Sequence, residues 1–428
     1  MKRTTLVALG VFTALCLAAA VFGTMGATVL GGKPGLILAG FDTLAVAPET
    51  VGSCTLAANI EVESSGGTAI AGYTTLAAAF TAINGGTHTG VIVIEVCGNT
   101  TETTTASLNS GAIAPASYSE IQMRPVGSAR TIEGSIVGAV VKLNGADNVT
   151  IDGRISGIGN SRDLTIRNNS LSAATAAVWL SSVAAGNGAT NNIIRNIEIA
   201  AGTDSSAAVT SASFGMSGPT IGVTSNGTDN DNNQFLSNRV VKARYGIVTR
   251  GTPTNLNIAP IIKENLIGSE NFGSDQIGKV GIFVQADSGG VISDNIVQNI
   301  GCLEPQACTG ADRIGIAIGT DAWGTATMTS NTYTVVRNTV RNVIDESQFS
   351  AVGINLATTG GGSPTNNLVA NNFVYAIRAN AQIARQTVGI GIAGGHTDSV
   401  VFNSIALYGD VDPGATLDPT THGSGIRI

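Results

Sequence analysis

Apolar positions recur through the second half of the chain in a fixed phrase. Glycine, isoleucine, a variable residue and another apolar residue appear as Gly281-Ile282-Phe283-Val284, Gly315-Ile316-Ala317-Ile318, Gly353-Ile354-Asn355-Leu356, Gly389-Ile390-Gly391-Ile392 and Gly425-Ile426-Arg427-Ile428, with a shorter copy at Gly246-Ile247-Val248. Successive glycines stand 35, 34, 38, 36 and 36 residues apart. Within a phrase the branched residues alternate, so Ile282 and Val284 share one face of a short strand. A second phrase lies between the copies: two apolar residues, a variable one, then Asn or an acid. It reads IIRN (193–196), FLSN (235–238), IIKE (261–264), VISD (291–294), VVRN (335–338), LVAN (368–371) and VVFN (400–403).

Two short strands per repeat cannot stand alone, because one repeat buries too little apolar surface and leaves its backbone groups unpaired. Stacking at one strand spacing, ~4.8 Å, turns every strand into part of a parallel sheet. The Asn column, Asn196, Asn238, Asn338, Asn371 and Asn403, is then expected to hydrogen-bond along the stack at a sharp bend. The repeat glycine is expected to supply the backbone angles of the corner. Excess length per repeat should form loops, as in GCLEPQACTGAD and GDVDPGATLDPTTHGSG.

Upstream, Leu76, Ala79, Phe80 and Ile83 fall at helical spacing, followed by the apolar strand GVIVIEV. The spacing predicts a short N-terminal helix capping the open end of the first coil. Residues 28–72 lack periodicity and read as an irregular segment, and 73–428 as the solenoid, whose complete final strand suggests a chain truncated at its C-terminus.

Composition agrees with many short strands and tight turns. Of 428 residues, 43% are hydrophobic, 12% charged and 4% aromatic, with 55 glycines. The net charge of −7 without a basic track excludes a nucleic-acid partner, and a membrane partner beyond the N-terminus. Lys2 and Arg3 precede an apolar run from Leu6 to Gly23 and then small residues, the layout of a secretory signal peptide over 1–27 or of an uncleaved anchor. A secreted or cell-surface protein follows. Outside that run stand Cys54, Cys97, Cys302 and Cys308, an even number in an exported chain. Proximity favours Cys302 with Cys308 and hence Cys54 with Cys97; zinc, with only His88, His396 and His422 to assist, lacks the usual spacing.

These features resemble the right-handed parallel β-helix of the pectin-lyase-like superfamily. More narrowly, VVKLNGADNVTIDG (140–153), SRDLTIRNNS (161–170) and AAVWLSSVAAGNGATNNIIRNIEI (176–199) resemble exported bacterial β-helix surface proteins of unassigned function. The resemblance implies an all-β solenoid over about 73–428 and a polysaccharide or cell-surface glycan as partner; it names no activity.

The catalytic signatures of such enzymes are incomplete in this chain. Asp-Asp pairs, as used by the polygalacturonase-like hydrolases, are absent, and THGSGIRI offers His422 and Arg427 without the flanking pattern. A pectate-lyase-like base could come from Lys242 or Arg244, predicted to share one side of a strand. Asp287 and Asp321 each lie six residues beyond a repeat glycine, which predicts two carboxylates stacked about 5 Å apart and able to hold Ca²⁺ or share a proton. His396, with Asp398 close by, sits at the corresponding turn two coils on, and Trp323 could stack on a sugar. Asp229 and Asp231 offer a second calcium reading. Asp residues also cap turns through their own backbone, and that reading stands beside these. The expected function is therefore adhesion or glycan binding without catalysis. The alternatives are a polysaccharide lyase or glycoside hydrolase, and a structural stalk of a larger surface protein.

Overall fold

The computed structural model describes residues 53–428 except 203–210, 274, 304–309, 347–348, 380–385 and 409–422. All of these lie in one compact unit, Glu49–Ile428. Residues 1–27, read above as a leader or anchor, Cys308 and His422 fall outside the described residues, so the Cys302–Cys308 pairing does too. No described helix is long and apolar enough to cross a membrane.

The chain winds as a parallel β-helix whose strands form three long ladders, with a separate two-stranded pair at Asn257–Ile258 and Asp287–Ser288. The first runs from His88–Val96 and Tyr118–Pro125 through Ile193–Arg195 and Val291–Ser293 to Ser399–Val401, within a 12-stranded sheet. The second runs from Thr100–Glu102 to Ser404–Ala406 and the third from Ala106–Asn109 to Ser424–Arg427; the Ile277 to Ile300 pairing joins them as one 20-stranded sheet. Register follows the repeat phrase: Ile247, Ile282, Ile316, Ile354, Ile390 and Ile426 pair successively in the third ladder. The side chains of all but the half-exposed Ile426 join the first and second ladders' isoleucines and valines in a continuous interior core. A second, outer cluster covers the outward face of the third ladder, with Trp179, Tyr245, Val248, Val280, Phe283 and Ile314 buried there.

The repeat glycines do not serve corners. Gly281, Gly315, Gly353 and Gly389 are absent from the residues with positive φ and sit inside third-ladder strands. A Cβ at Gly281, Gly315 or Gly353 would stand 2.6 Å from the carbonyl oxygen of the next glycine in the column. It would also press on Val297, Val340 or Val374 of the second ladder. Close packing of coil on coil, not backbone angle, demands glycine here.

The Asn column is also displaced from its expected membership. The corner between the first and second ladders is turned by Asn196, Ser237, Glu264, Asp294, Arg337, Asn371 and Phe402, all with φ of 53–60°. The next residue carries the ladder: Asn238, Asn265, Asn295, Asn338, Asn372 and Asn403. In each successive pair the Oδ1 accepts from the preceding coil's backbone N–H, at 2.9–3.0 Å. Each Nδ2 donates to a first-ladder carbonyl of the preceding coil, as from Asn295 to Ile262 and from Asn403 to Val369. Asn238, Asn338 and Asn403 thus belong to the ladder, whereas Asn196 and Asn371 are corner residues.

Helix α1, Leu76–Asn84, buries Leu76, Ala79, Phe80 and Ile83, the four positions that its spacing marks. Thr75 accepts from Ala78 N–H at its start, and the buried Glu102 carboxylate accepts from the N–H groups of Leu76 and Ala77, both at 2.9 Å. A carboxylate there satisfies orphan donors and meets the positive end of the helix dipole. Before α1, the segment read as irregular contains strands Ile60–Gly67 and Ile70–Tyr73, an antiparallel hairpin on the edge of the first ladder. Cys97, just beyond His88–Val96, is disulfide-bonded to Cys54 with the Cα atoms 5.8 Å apart. His88 is buried between Tyr73 Oη at 2.7 Å and the Thr68 carbonyl at 2.7 Å.

Candidate functional site

Asp287 lies inside the solenoid. It is fully buried and held by Asn257 Nδ2 at 2.8 Å, Tyr333 Oη at 3.2 Å and Thr249 Oγ1. Burial pushes its carboxyl up to about 7, with the three side-chain donors pulling the other way. Its backbone neighbours explain the location. Asp287 pairs with Asn257 in the preceding coil, and Ser288 bridges Asn331 in the next, a step of 43 residues, against 34 in the strand just before. The long connection after Ile318 therefore shifts the stack, and Asp321 does not fall over Asp287.

Asp321 stands on the outer face of the third ladder. Its carboxylate accepts from Tyr245 Oη at 2.9 Å and pairs with Lys279 Nζ, which also reaches Tyr245 Oη at 3.2 Å. Burial first, then the Asp321 charge, holds the Tyr245 phenol protonated far above its usual range. Lys279 belongs to a column that spacing reveals once the glycines are aligned: Arg244, Lys279 and Arg313 each stand two residues before a repeat glycine in successive coils. Arg313 is fully buried, 3.3 Å from an equally buried Asp345, and donates to the Ala311 carbonyl at 2.8 Å. Burial lowers its affinity for the proton and Asp345 restores part of it. Arg244 lies 5.9 Å from the Tyr245 ring centre. Lys242, expected beside it, occupies a left-handed corner before the strand Ala243–Arg250, so the alternation linking the two is broken.

Trp323 joins the same face from the loop after the third-ladder strand Arg313–Ile318. Its backbone N–H donates to Asp312 Oδ2 at 2.8 Å and its indole N–H to Gln386 Oε1 at 2.9 Å. The ring lies on Gly391, where any Cβ would collide with it. Trp179 covers Gly215 of the next coil in the same way, four coils below the Gly315 strand, its indole N–H bound to the Gly218 carbonyl at 3.0 Å. Trp179 is sealed, whereas Trp323 is half-buried and borders a cleft of about 550 Å³ with Gln386 and Arg427 in its wall.

His396 and Asp398 sit on a different connection, between the third and first ladders. His396 is exposed, and its backbone is tied to Thr365 Oγ1 at 2.7 Å. Asp398 Oδ1 accepts from Thr365 Oγ1 and Asn367 N–H, both at 2.7 Å, which ties it to the preceding coil. Asp229 and Asp231 likewise bind neighbouring coils: Asn255 Nδ2 and Gly186 N–H hold Asp229 below its usual range, and Asp231 accepts from Ile258 N–H. Among the described residues, one group of three Cys, His, Asp or Glu side chains comes within reach of a common ion, Cys54, Glu95 and Cys97, and its two sulfurs are bonded to each other. The structure thus brings Arg244, Asp321 and Trp323 to one face and places Asp287, Lys242, His396 and Asp398 elsewhere.

No family model matches the chain, and no curated protein does. Among solved structures it is similar to the Dettilon tailspike protein, at 12% identity and a TM-score of 0.44, over 83% of this chain and 65% of that one. It is similar to the enzymatically active domain of bacteriophage CBA120 tailspike protein 2, at 10% and 0.41, over 72% and 38%. A third likeness is to a periplasmic alginate epimerase, at 14% and 0.27, over 78% of each chain. The chain spans less than two thirds of either tailspike chain. The fold rests on this chain's own strand pairing, and its chemistry on the groups described above.

Proposed function

We propose that this is an exported β-helix protein that binds glycans without turning them over, through the outer face of the third ladder around Trp323. The observation that carries this reading is the fixing of that indole. It is held at its ring nitrogen by Gln386 and at its backbone by Asp312, it rests on Gly391, and it borders a cleft that Arg427 also lines. A ring fixed in advance loses little freedom when a sugar stacks on it. The groups that hydrolysis or elimination would need support the noncatalytic half. Asp287 is sealed in the core, Asp321 is engaged by Lys279 and Tyr245, and His396 lies on another connection. A calcium ion between Asp287 and Asp321 has no support in this arrangement.

In the same reading, the leader at 1–27 directs the chain out of the cell or anchors it at the surface, and α1 closes the first coil of the core. Affinity electrophoresis of the purified chain through gels containing neutral and uronate-bearing polysaccharides tests the proposal. Retardation by at least one glycan, lost in W323A while the melting temperature is kept, is the expected result. Equal migration of both proteins in every gel would remove the binding reading and leave a stalk.

A further inference from the structure

The outer face of the second ladder carries an aromatic step that the third-ladder site does not use. Phe373 and Tyr375 alternate along strand Phe373–Ala379, so both point outward, and their rings stack at 4.6 Å with 28° between planes. Phe373 is 45% exposed, and Ile296, two coils below it in the same register, is 42% exposed. On the next coil the paired positions are Ser404 and Ala406, small residues that leave the rings standing above their neighbours. Phe373 is the exposed ring of the pair and Tyr375 is half-buried beneath it.

Beside Tyr375 in register stands Arg341. Its Nε and Nη2 donate to Gln298 Oε1, at 3.0 and 2.5 Å, and its Nη1 donates to Tyr375 Oη at 3.0 Å. Gln298 is itself buried and anchored by Nε2 to the Ser269 carbonyl at 2.9 Å, so the guanidinium is aimed by a fixed amide. Both of its partners are neutral. Neighbouring arginines differ: Arg337 is paired with Asp294 at 2.7 Å and Arg378 with Glu346 at 2.6 Å. Among the described residues Arg341 has no carboxylate, and its three hydrogen bonds use three of its five N–H groups, leaving one on each terminal nitrogen. Those two N–H groups are donors for a carboxylate.

We propose that Phe373, Tyr375 and Arg341 form a second binding site, separate from the Trp323 face, for a saccharide bearing a carboxylate. The rings take the apolar face of the sugar and the guanidinium edge takes its acid group. No bond is made or broken. Charge complementarity favours an acidic sugar over a neutral one, because a neutral ring would leave the half-buried cation uncompensated.

The test uses the intact chain and two probes that differ only in their acid groups, cellotriose and cellotriuronic acid, followed by titration calorimetry. Wild type is expected to bind cellotriuronic acid, more weakly as salt rises, and to prefer it over cellotriose by about tenfold or more. R341Q is expected to abolish the preference, and F373S, which copies the residue of the next coil, to lower affinity for cellotriuronic acid by about tenfold. Repeating the titrations in the W323A background removes any contribution of the Trp323 face, so that the preference for cellotriuronic acid is read at this site alone. Failure to bind cellotriuronic acid, equal binding of both probes, or retention of the preference in R341Q with unchanged melting would each overturn the proposal.

Discussion

Asp287 shows how far a single carboxyl's role depends on its depth. Counting from the repeat glycine singles it out, and the structure places it inside the core, where Asn257, Thr249 and Tyr333 share its two oxygens. Its folded value is raised from 3.8 to about 7, so folding favours the neutral acid. That contribution is fully present below about pH 4 and is lost as the pH rises through 7. D287N keeps an acceptor for Asn257 and gives its amide to hydroxyls that can accept. Thermal melts are expected to coincide for wild type and D287N near pH 4 and to separate by pH 8, with the variant more stable by on the order of 2–4 kcal/mol. A wild type as stable as D287N at pH 8 would mean that the carboxylate is better accommodated than its burial implies. Counting from the glycine expected Asp287 beside Asp321, and it missed the core position because residue counting carries no information about an inserted loop. The step to the next coil at this position is 43 residues, not 34.

Elements were legible wherever period alone decides them. The third-ladder strands, the face of α1 and the existence of an Asn column all follow from spacing, as does the pairing of Cys54 with Cys97 once Cys302 and Cys308 are matched to each other. The membership of the Asn column was not legible, because corner and ladder positions are adjacent and both favour Asn, as Asn371 and Asn372 show. Only the left-handed φ of Asn371 tells them apart. Asn295 accepts from Asn265 and donates to the Ile262 carbonyl and to Asn338, all buried. N295A should cost about 2–3 kcal/mol in denaturant unfolding, since it strands several buried partners, while N371G, at an exposed corner that glycine enters freely, should stay within about 0.5 kcal/mol. Comparable losses at both positions would contradict the assignment. Likewise G353A should destabilise by on the order of 2 kcal/mol, because its Cβ meets Val374 and the Gly389 carbonyl, and an unchanged midpoint would show that the coils can part without cost.

At the scale of the whole molecule, the stack does two things: it buries a continuous core and it repeats side chains outward at fixed spacing. Arg244, Lys279 and Arg313 form a basic column this way, and Arg341 and Tyr375 pair across coils beside the exposed Phe373. Both could have been found by aligning every repeat on its glycine and reading across coils instead of along the chain. What no alignment supplies is the path of the long connections, which brought Trp323 onto Gly391 and kept His396 away from Asp321. The central claim is a binding surface without turnover, and one incubation tests it most directly. The purified chain, with and without Ca²⁺, is held with a panel of neutral and uronate-bearing polysaccharides while retention, unsaturated products and new reducing ends are recorded. Retention with neither product is the predicted result. Unsaturated ends would identify a lyase and reducing ends alone a hydrolase, and either would contradict the account.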